Sequence, residues 1–232
     1  MKILLLSIVI CLINLPFGKK VIVADNKLLI IADSSRPEDI QINTNLLRSD
    51  KTVQNALLSA AETDLLQEGD LLLRKGYGWI SDRIADVLDE KIRITHCGLI
   101  LREGYKEPHV LHCLSNNNVD GVFVEPLKSY LKESQRGSLI GIRTKGSETE
   151  RKNIVLESKR LLSKKIPFDL AFNDADTSRM YCAELFGYVF KNVCQRDLLP
   201  EKINLFGMNA TRMRNFLNKD EFEILFNQFD KP

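Results

Sequence analysis

The chain is short of histidine. His96, His109 and His112 are the only three in 232 residues, so any imidazole base must be one of them. Net charge is nearly absent as well. It is +2, from 33 basic and 31 acidic residues interspersed along the chain, and no basic patch or tail stands out to hold nucleic acid. The five cysteines, Cys11, Cys97, Cys113, Cys182 and Cys194, include no CxxC pair. Their spacing suits neither a disulfide framework nor a structural zinc site. No internal repeat or low-complexity segment occurs. What is left is a globular composition with 44% hydrophobic residues, neither disordered nor collagenous.

One long apolar run is present. Ile3 to Leu15 follows Lys2 and is broken by Pro16 and Gly18. It falls short of the roughly 20 residues a membrane-spanning helix needs. Residues 1–24 therefore read as an export signal, with Ala24 the nearest small residue for cleavage. A buried N-terminal strand or an uncleaved anchor is the competing reading. Export would put the protein in the periplasm or cell envelope. Residues 25–65 read as an extension: a short strand at Leu28–Ala32, a polar linker from Ser34 to Asn45, and a helix within Asp50–Leu66. The main domain is expected over 66–232.

Within that domain strands cluster in the middle. Gly69-Asp70 is a turn into the strand Leu71–Arg74. Ile92–Leu101 and Val110–Leu114 form a hairpin around Gly104, followed by Val122–Val124, a short helix from Pro126 to Leu131, and a strand at Ser138–Arg143. Ser147 and Glu150 form a capping box that opens the next helix. Leu185, Phe186, Val189, Phe190 and Val193 repeat at helical spacing, and Asn209 is a candidate cap for a last helix over Ala210–Leu217. The order predicts an α+β fold with a mostly antiparallel sheet.

Cys182 stands where the turn-rich run 173–177 gives way to that helical repeat. A thiol in a first helical turn meets free amide groups and the positive end of the helix dipole, and both favour the thiolate. The plainer alternative is a small buried hydrophobe. On the hairpin, a register symmetric about Gly104 sets His96 across from His112, with His109 on the other face. One imidazole could then act as base toward a thiol while the other orients it. His96, His112 and Cys182 could equally form a His2Cys zinc set. Cys97 and Cys113 point behind the hairpin, where they are candidates for a disulfide.

Gly69-Asp70-Leu71-Leu72-Leu73-Arg74, Thr95-His96-Cys97-Gly98-Leu99-Ile100, Gly121-Val122, Pro167-Phe168-Asp169 and Tyr181-Cys182-Ala183-Glu184-Leu185 resemble motifs of the YiiX/YebB-like branch of the NlpC/P60 cysteine hydrolases. The resemblance covers about Leu66 to Val193. It implies a circularly permuted papain-like fold in which histidine precedes cysteine, an order shared with lecithin retinol acyltransferase-like enzymes. By position it makes Cys182 the nucleophile and His96 the base, with no cofactor and no metal. His112 falls where the branch often has glutamate and the acyltransferase relatives have histidine. Ala183 replaces the usual serine and Phe168 the usual tyrosine. The activity implied is a cysteine-type amidase or peptidase with a Cys182–His96–His112 triad. Its substrate would be a small peptide, an acyl-amide or a lipid-linked amide of the cell envelope. An acyltransferase, a non-catalytic binding module and the zinc hydrolase are the alternatives.

Overall fold

The computed structural model describes residues 20–24, 27–31, 55–77, 81, 84–86, 88, 90–116, 118–205 and 208–229. The apolar run Ile3–Leu15 and the linker Ser34–Asn45 lie outside the described residues. The chain divides into two compact units, Met1–Asn43 and Thr44–Pro232. In the first, β1 (Lys20–Ala24) and β2 (Lys27–Ile31) form an antiparallel hairpin, with Lys20 across from Ile31 and Ala24 across from Lys27.

The second unit is built on a six-stranded sheet that is antiparallel throughout. Its strands are β3 (Leu71–Gly76), β4 (His96–Leu101), β5 (His109–Ser115), β6 (Asp120–Pro126), β7 (Ser134–Thr144) and β10 (Phe222–Asn227). They lie in the order β10-β7-β3-β4-β5-β6. Two further strands, β8 (Lys202–Leu205) and β9 (Met208–Thr211), pair with each other. The helices include α1 (Ala60–Leu65), α2 (Leu127–Lys132), α3 (Glu148–Ser163) and α4 (Cys182–Cys194). Among the described residues no helix is long and apolar enough to cross a membrane.

Local chemistry accounts for the element starts. Ser147 accepts the Glu150 amide at 3.1 Å, while Glu150 accepts the Ser147 amide at 2.7 Å, so the expected capping box opens α3. A second box, Ser59 with Glu62, opens α1. That cap shortens the helix expected over Asp50–Leu66: residues 56–59 are not helical and Leu57 is exposed. The helix expected over Ala210–Leu217 is also corrected. Ala210 and Thr211 belong to β9, and only Met213–Leu217 turns, as a 3-10 helix.

The strand period divides the core between the two sheet faces. Leu71, Leu73, Cys97, Leu99, Leu111, Ile140 and Ile142 point to one face and pack against Leu185, Phe186, Val189 and Phe190 of α4. These four helix side chains are fully buried, each contributing about 1.5–3 kcal/mol. On the other face Leu72, Ile100, Val110 and Leu139 meet Tyr130 and Leu127 of α2, with Ala56 and Leu66. Residues 56–66 thus belong to the same core as the sheet. The Gly69-Asp70 motif is structural. Both Asp70 oxygens accept from Arg143 at 2.8 Å, tying β7 to the turn that enters β3. Asp70 is buried and Arg143 only partly so, and removing the arginine would leave a buried carboxylate without its cation.

Candidate active site

The hairpin register differs by two residues from the symmetric one. Leu99 pairs with Leu111, Ile100 with Val110 and Leu101 with His109. Continued toward the start of β4, this sets Gly98, not His96, across from His112. A shift of two leaves every side chain on its own face, so His96 and His112 still share one. Gly98 makes their approach workable. A Cβ there would stand 2.3 Å from Val110 Cγ1 and 3.3 Å from His112 Cβ.

The result is a chain of side-chain contacts. His96 Nε2 lies 2.8 Å from His112 Nδ1, and His112 Nε2 lies 2.9 Å from Glu125 Oε1 on β6. Burial, then the Arg74 and His112 charges, hold His96 well below the usual histidine range. Burial also lowers His112, to about 4, although Glu125 pulls the other way. Both rings are therefore neutral near pH 7, and the network then assigns the tautomers. An ionised carboxylate can only accept, so His112 carries its proton on Nε2 and accepts on Nδ1. His96 must donate from Nε2, which leaves Nδ1 as its basic nitrogen. Among the described residues Nδ1 makes no hydrogen bond.

A tight shell holds this relay. His112 is packed by Phe123 at 4.3 Å and by the edge of Tyr130 at 5.2 Å between ring centroids. Tyr130 is fixed by its hydroxyl, which donates to the Leu72 carbonyl at 2.9 Å. Arg74, directly across from His96 on β3, lays its guanidinium 4.2 Å over the Tyr130 ring and donates to the Tyr130 carbonyl at 2.8 Å. Among the described residues its Nε has no hydrogen-bond partner. A buried cation beside two imidazoles disfavours their protonation.

Cys182 is the first residue of α4, as the helical repeat implies. The loop before it is drawn onto the sheet by the Gly121 and Pro167-Phe168-Asp169 motifs. Gly121 has φ +112°, and a Cβ on it would stand 2.1 Å from the Ile166 carbonyl oxygen. The Val122 amide donates to that same oxygen at 3.0 Å. Phe168 bridges to Met180, and the Asp169 carboxylate accepts the amides of Ala171 and Asn173. Tyr181, just before the cysteine, donates its hydroxyl to Asp174 and accepts the Thr211 amide at 2.6 Å.

Cys182 belongs to the same buried cluster as Cys97. The Cys97 thiol, the amides of Cys97 and Ala183, and the Arg74 charge all draw it toward the thiolate, against its burial. Burial pushes Cys97, Cys113 and Cys194 the other way. Cys113 donates its thiol to the Met180 carbonyl at 2.9 Å, and both it and Cys97 are free thiols. Glu184 is buried with Oε1 unpartnered, and burial, reinforced by Asp174, Asp169 and Asp176, raises it to about 8.

The three residues singled out in the sequence are therefore not all in contact. His96 and His112 bond to each other. Among the described residues no hydrogen bond joins Cys182 to either. The His2Cys zinc set does not fit, because both nitrogens of His112 are engaged, one by His96 and one by Glu125. No group of three or more His, Cys, Asp or Glu among the described residues is placed to hold a metal. His109 stacks on Tyr105 at 4.0 Å, away from the relay. Three contributors escaped the sequence reading. Glu125 had a usable signal, since it lies two residues beyond Phe123 on the same face of a strand adjoining the hairpin. Arg74 looks like the polar end of an apolar strand, and Cys97 like a packing residue.

No family model matches the chain, and no curated protein matches it. Among solved structures it is similar to the metalloprotein yiiX from Escherichia coli O157:H7. The match has a TM-score of 0.58 at 18% identity and covers 69% of this chain and 97% of that one. The likeness is one of fold: a YiiX-like α+β arrangement with an antiparallel sheet packed against helices.

Proposed function

We propose that the protein is a thiol hydrolase of amide or ester bonds, with Cys182 as nucleophile and a His96–His112–Glu125 relay as its proton-handling arm. The observation that carries this reading is the relay itself. Its hydrogen bonds run one way, from His96 Nε2 to His112 Nδ1 and from His112 Nε2 to Glu125, which leaves His96 Nδ1 as the basic nitrogen. Histidine preceding cysteine, strand then helix, matches the order of the permuted papain-like NlpC/P60 hydrolases.

The Cys182 thiolate would attack the acyl carbonyl, and amides at the start of α4 would stabilise the resulting oxyanion. His96 Nδ1 would carry the proton from the thiol to the leaving amine or alcohol. In the second half it would take a proton from water, whose hydroxide releases the acyl group as the acid and frees the thiolate. No hydrogen bond joins His96 to Cys182 among the described residues, and each is 7% exposed, so this transfer would require water between them.

The test is a screen of acyl esters, acyl amides and cell-wall peptides, with mass analysis of the trapped enzyme. An acyl thioester on Cys182, with turnover abolished in Cys182→Ser and His96→Ala, supports the reading. Adduct-free binding that survives Cys182→Ser makes the fold a binding module instead. Transfer to an added amine or alcohol in preference to water makes it an acyltransferase. The envelope substrate class rests on export, which N-terminal sequencing and fractionation check; an intact Met1 in the cytoplasm would move the substrate elsewhere.

A further inference from the structure

The residue that opens α4 is held from three sides. Tyr181 is the N-cap of α4 and stands directly before Cys182. Its amide donates to Glu184 Oε2 at 3.3 Å, and its carbonyl accepts the Leu185 amide at 3.0 Å. Its hydroxyl leaves the helix altogether. It donates to Asp174 and accepts the Thr211 amide at 2.6 Å. Thr211 Oγ1 donates to Asp174 Oδ2 at 2.9 Å, and Lys202 Nζ reaches the same oxygen at 2.7 Å. The Asp174 amide donates to the Asn209 carbonyl at 3.2 Å. Lys202, Asn209 and Thr211 all belong to the β8–β9 pair, in which Lys202 lies across from Thr211. The Tyr181 ring is held as well, by Phe172 at 5.2 Å between centroids. Phe172 has φ +52°, uncommon for a bulky residue. The buried Asp169 carboxylate keeps it there by accepting the amides on either side, Ala171 at 2.8 Å and Asn173 at 2.7 Å.

We infer that Asp174 and Thr211 are positioning residues for the Cys182 thiol, acting through the Tyr181 hydroxyl, so that the β8–β9 pair is part of the frame of the active site. The consequence for turnover rests on the hydrolase reading. Tyr181 is buried, and a phenylalanine would fill the same space. The hydroxyl therefore adds direction rather than volume. It has one carboxylate acceptor and one amide donor to satisfy, and few orientations satisfy both. That fixes the Tyr181 side chain and, with it, the direction in which the first turn of α4 leaves the loop. The thiol and the amides of the helix start move with that turn. A nucleophile and an oxyanion site need placement within about 0.5 Å.

The test compares Tyr181→Phe, Thr211→Val and Thr211→Ser with the wild-type full chain. Alkylation of Cys182 by iodoacetamide is followed by peptide mass spectrometry from mildly acidic to alkaline pH, and kcat and KM are measured on an acyl ester. Tyr181→Phe should slow the alkylation of Cys182 and move its rise to higher pH, because a displaced helix start favours the thiolate less. Cys194 should be alkylated as in the wild type. The kcat should fall about 10–100-fold with KM unchanged, since a misplacement of about 1 Å can cost about 10²-fold. Thr211→Val should act in the same direction more weakly, and Thr211→Ser, which keeps the hydroxyl, should recover most of that loss. Wild-type alkylation of Cys182 in Tyr181→Phe, with a thermal melt to show that it is folded, overturns the inference. If Tyr181→Phe does not fold, equal alkylation in Thr211→Val and Thr211→Ser overturns it. Slowed alkylation in a protein whose wild type turns over no acyl substrate supports the positioning and removes the hydrolase reading.

Discussion

The two faces of the central hairpin carry the same raw material and use it in opposite ways. On one, Arg74, His96, His112 and Tyr130 form a buried polar network in which the cation has no carboxylate partner among the described residues and two imidazoles stay neutral. On the other, Cys97, Cys113 and Cys182 sit in the main apolar core under α4. Burial disfavours charge on both faces. It depresses the histidines and raises Cys97 and Cys113, and only Cys182 escapes, because a helix start and the Cys97 thiol compensate it. A reactive group in this fold is thus one whose local hydrogen bonds outweigh its burial.

The strongest way to break the comparison is to remove the link in the polar face. His112→Ala should lower turnover by about 10²–10⁴-fold, the range for general acid–base groups, with a thermal melt to show that the protein is folded. His112→Glu should do no better, even though the resembled branch often has glutamate there. Glu125 Oε1 already lies 2.9 Å from His112 Nε2, and two carboxylates would repel. Glu125→Gln keeps an acceptor without the charge, and a loss of about tenfold is expected in the same assay, since about 1.4 kcal/mol is a factor of ten.

On the thiol face, limiting iodoacetamide at mildly acidic pH should modify Cys182 ahead of Cys97, Cys113 and Cys194. Peptide mapping reads the order, and equal modification of all four would remove the distinction between them. Cys97→Ala should slow the labelling of Cys182, because it removes the largest contribution favouring the thiolate.

Stability against pH should separate the faces again. His112 binds its proton more weakly folded than unfolded, so its contribution is lost on acidification from about 6.5 toward about 4. Glu184, in the first turn of α4, has the opposite sign. Its folded value of about 8 lies above 4.5, so the folded state holds the proton more tightly and stability falls as pH rises through that window. Denaturant melts across the range should show a flatter alkaline limb in Glu184→Gln and an unchanged acid limb. The smallest effect belongs to His109→Ala. Its ring stacks on Tyr105 outside both networks, and turnover should not change, with stability within about 0.5 kcal/mol.

Much of this architecture was legible along the chain, for physical reasons that act locally. The capping box at Ser147 and Glu150, the apolar repeat after Cys182 and the period-two alternation of the hairpin each depend on near neighbours. They placed α3, the start of α4 and the faces of His96 and His112. Where near neighbours did not decide, the reading failed. The hairpin register was off by two because the turn does not centre on Gly104, and Ala210–Thr211 became a strand because β8 was there to pair with it.

The sequence by itself determined which residues could react: three histidines, a helix-start cysteine, and alternation that puts His96 and His112 on one side and Cys97 and Cys113 on the other. Only the tertiary structure decided what each would meet. Glu125 reaches His112 because β6 pairs with β5, and Arg74 reaches the relay because β3 lies beside β4. Cys182 joins the cluster of Cys97 rather than that of the histidines because α4 packs on the apolar face of the sheet, where its leucines and phenylalanines leave water. The strand period sets a side chain's direction, and burial of the helix stripe sets which face the helix takes.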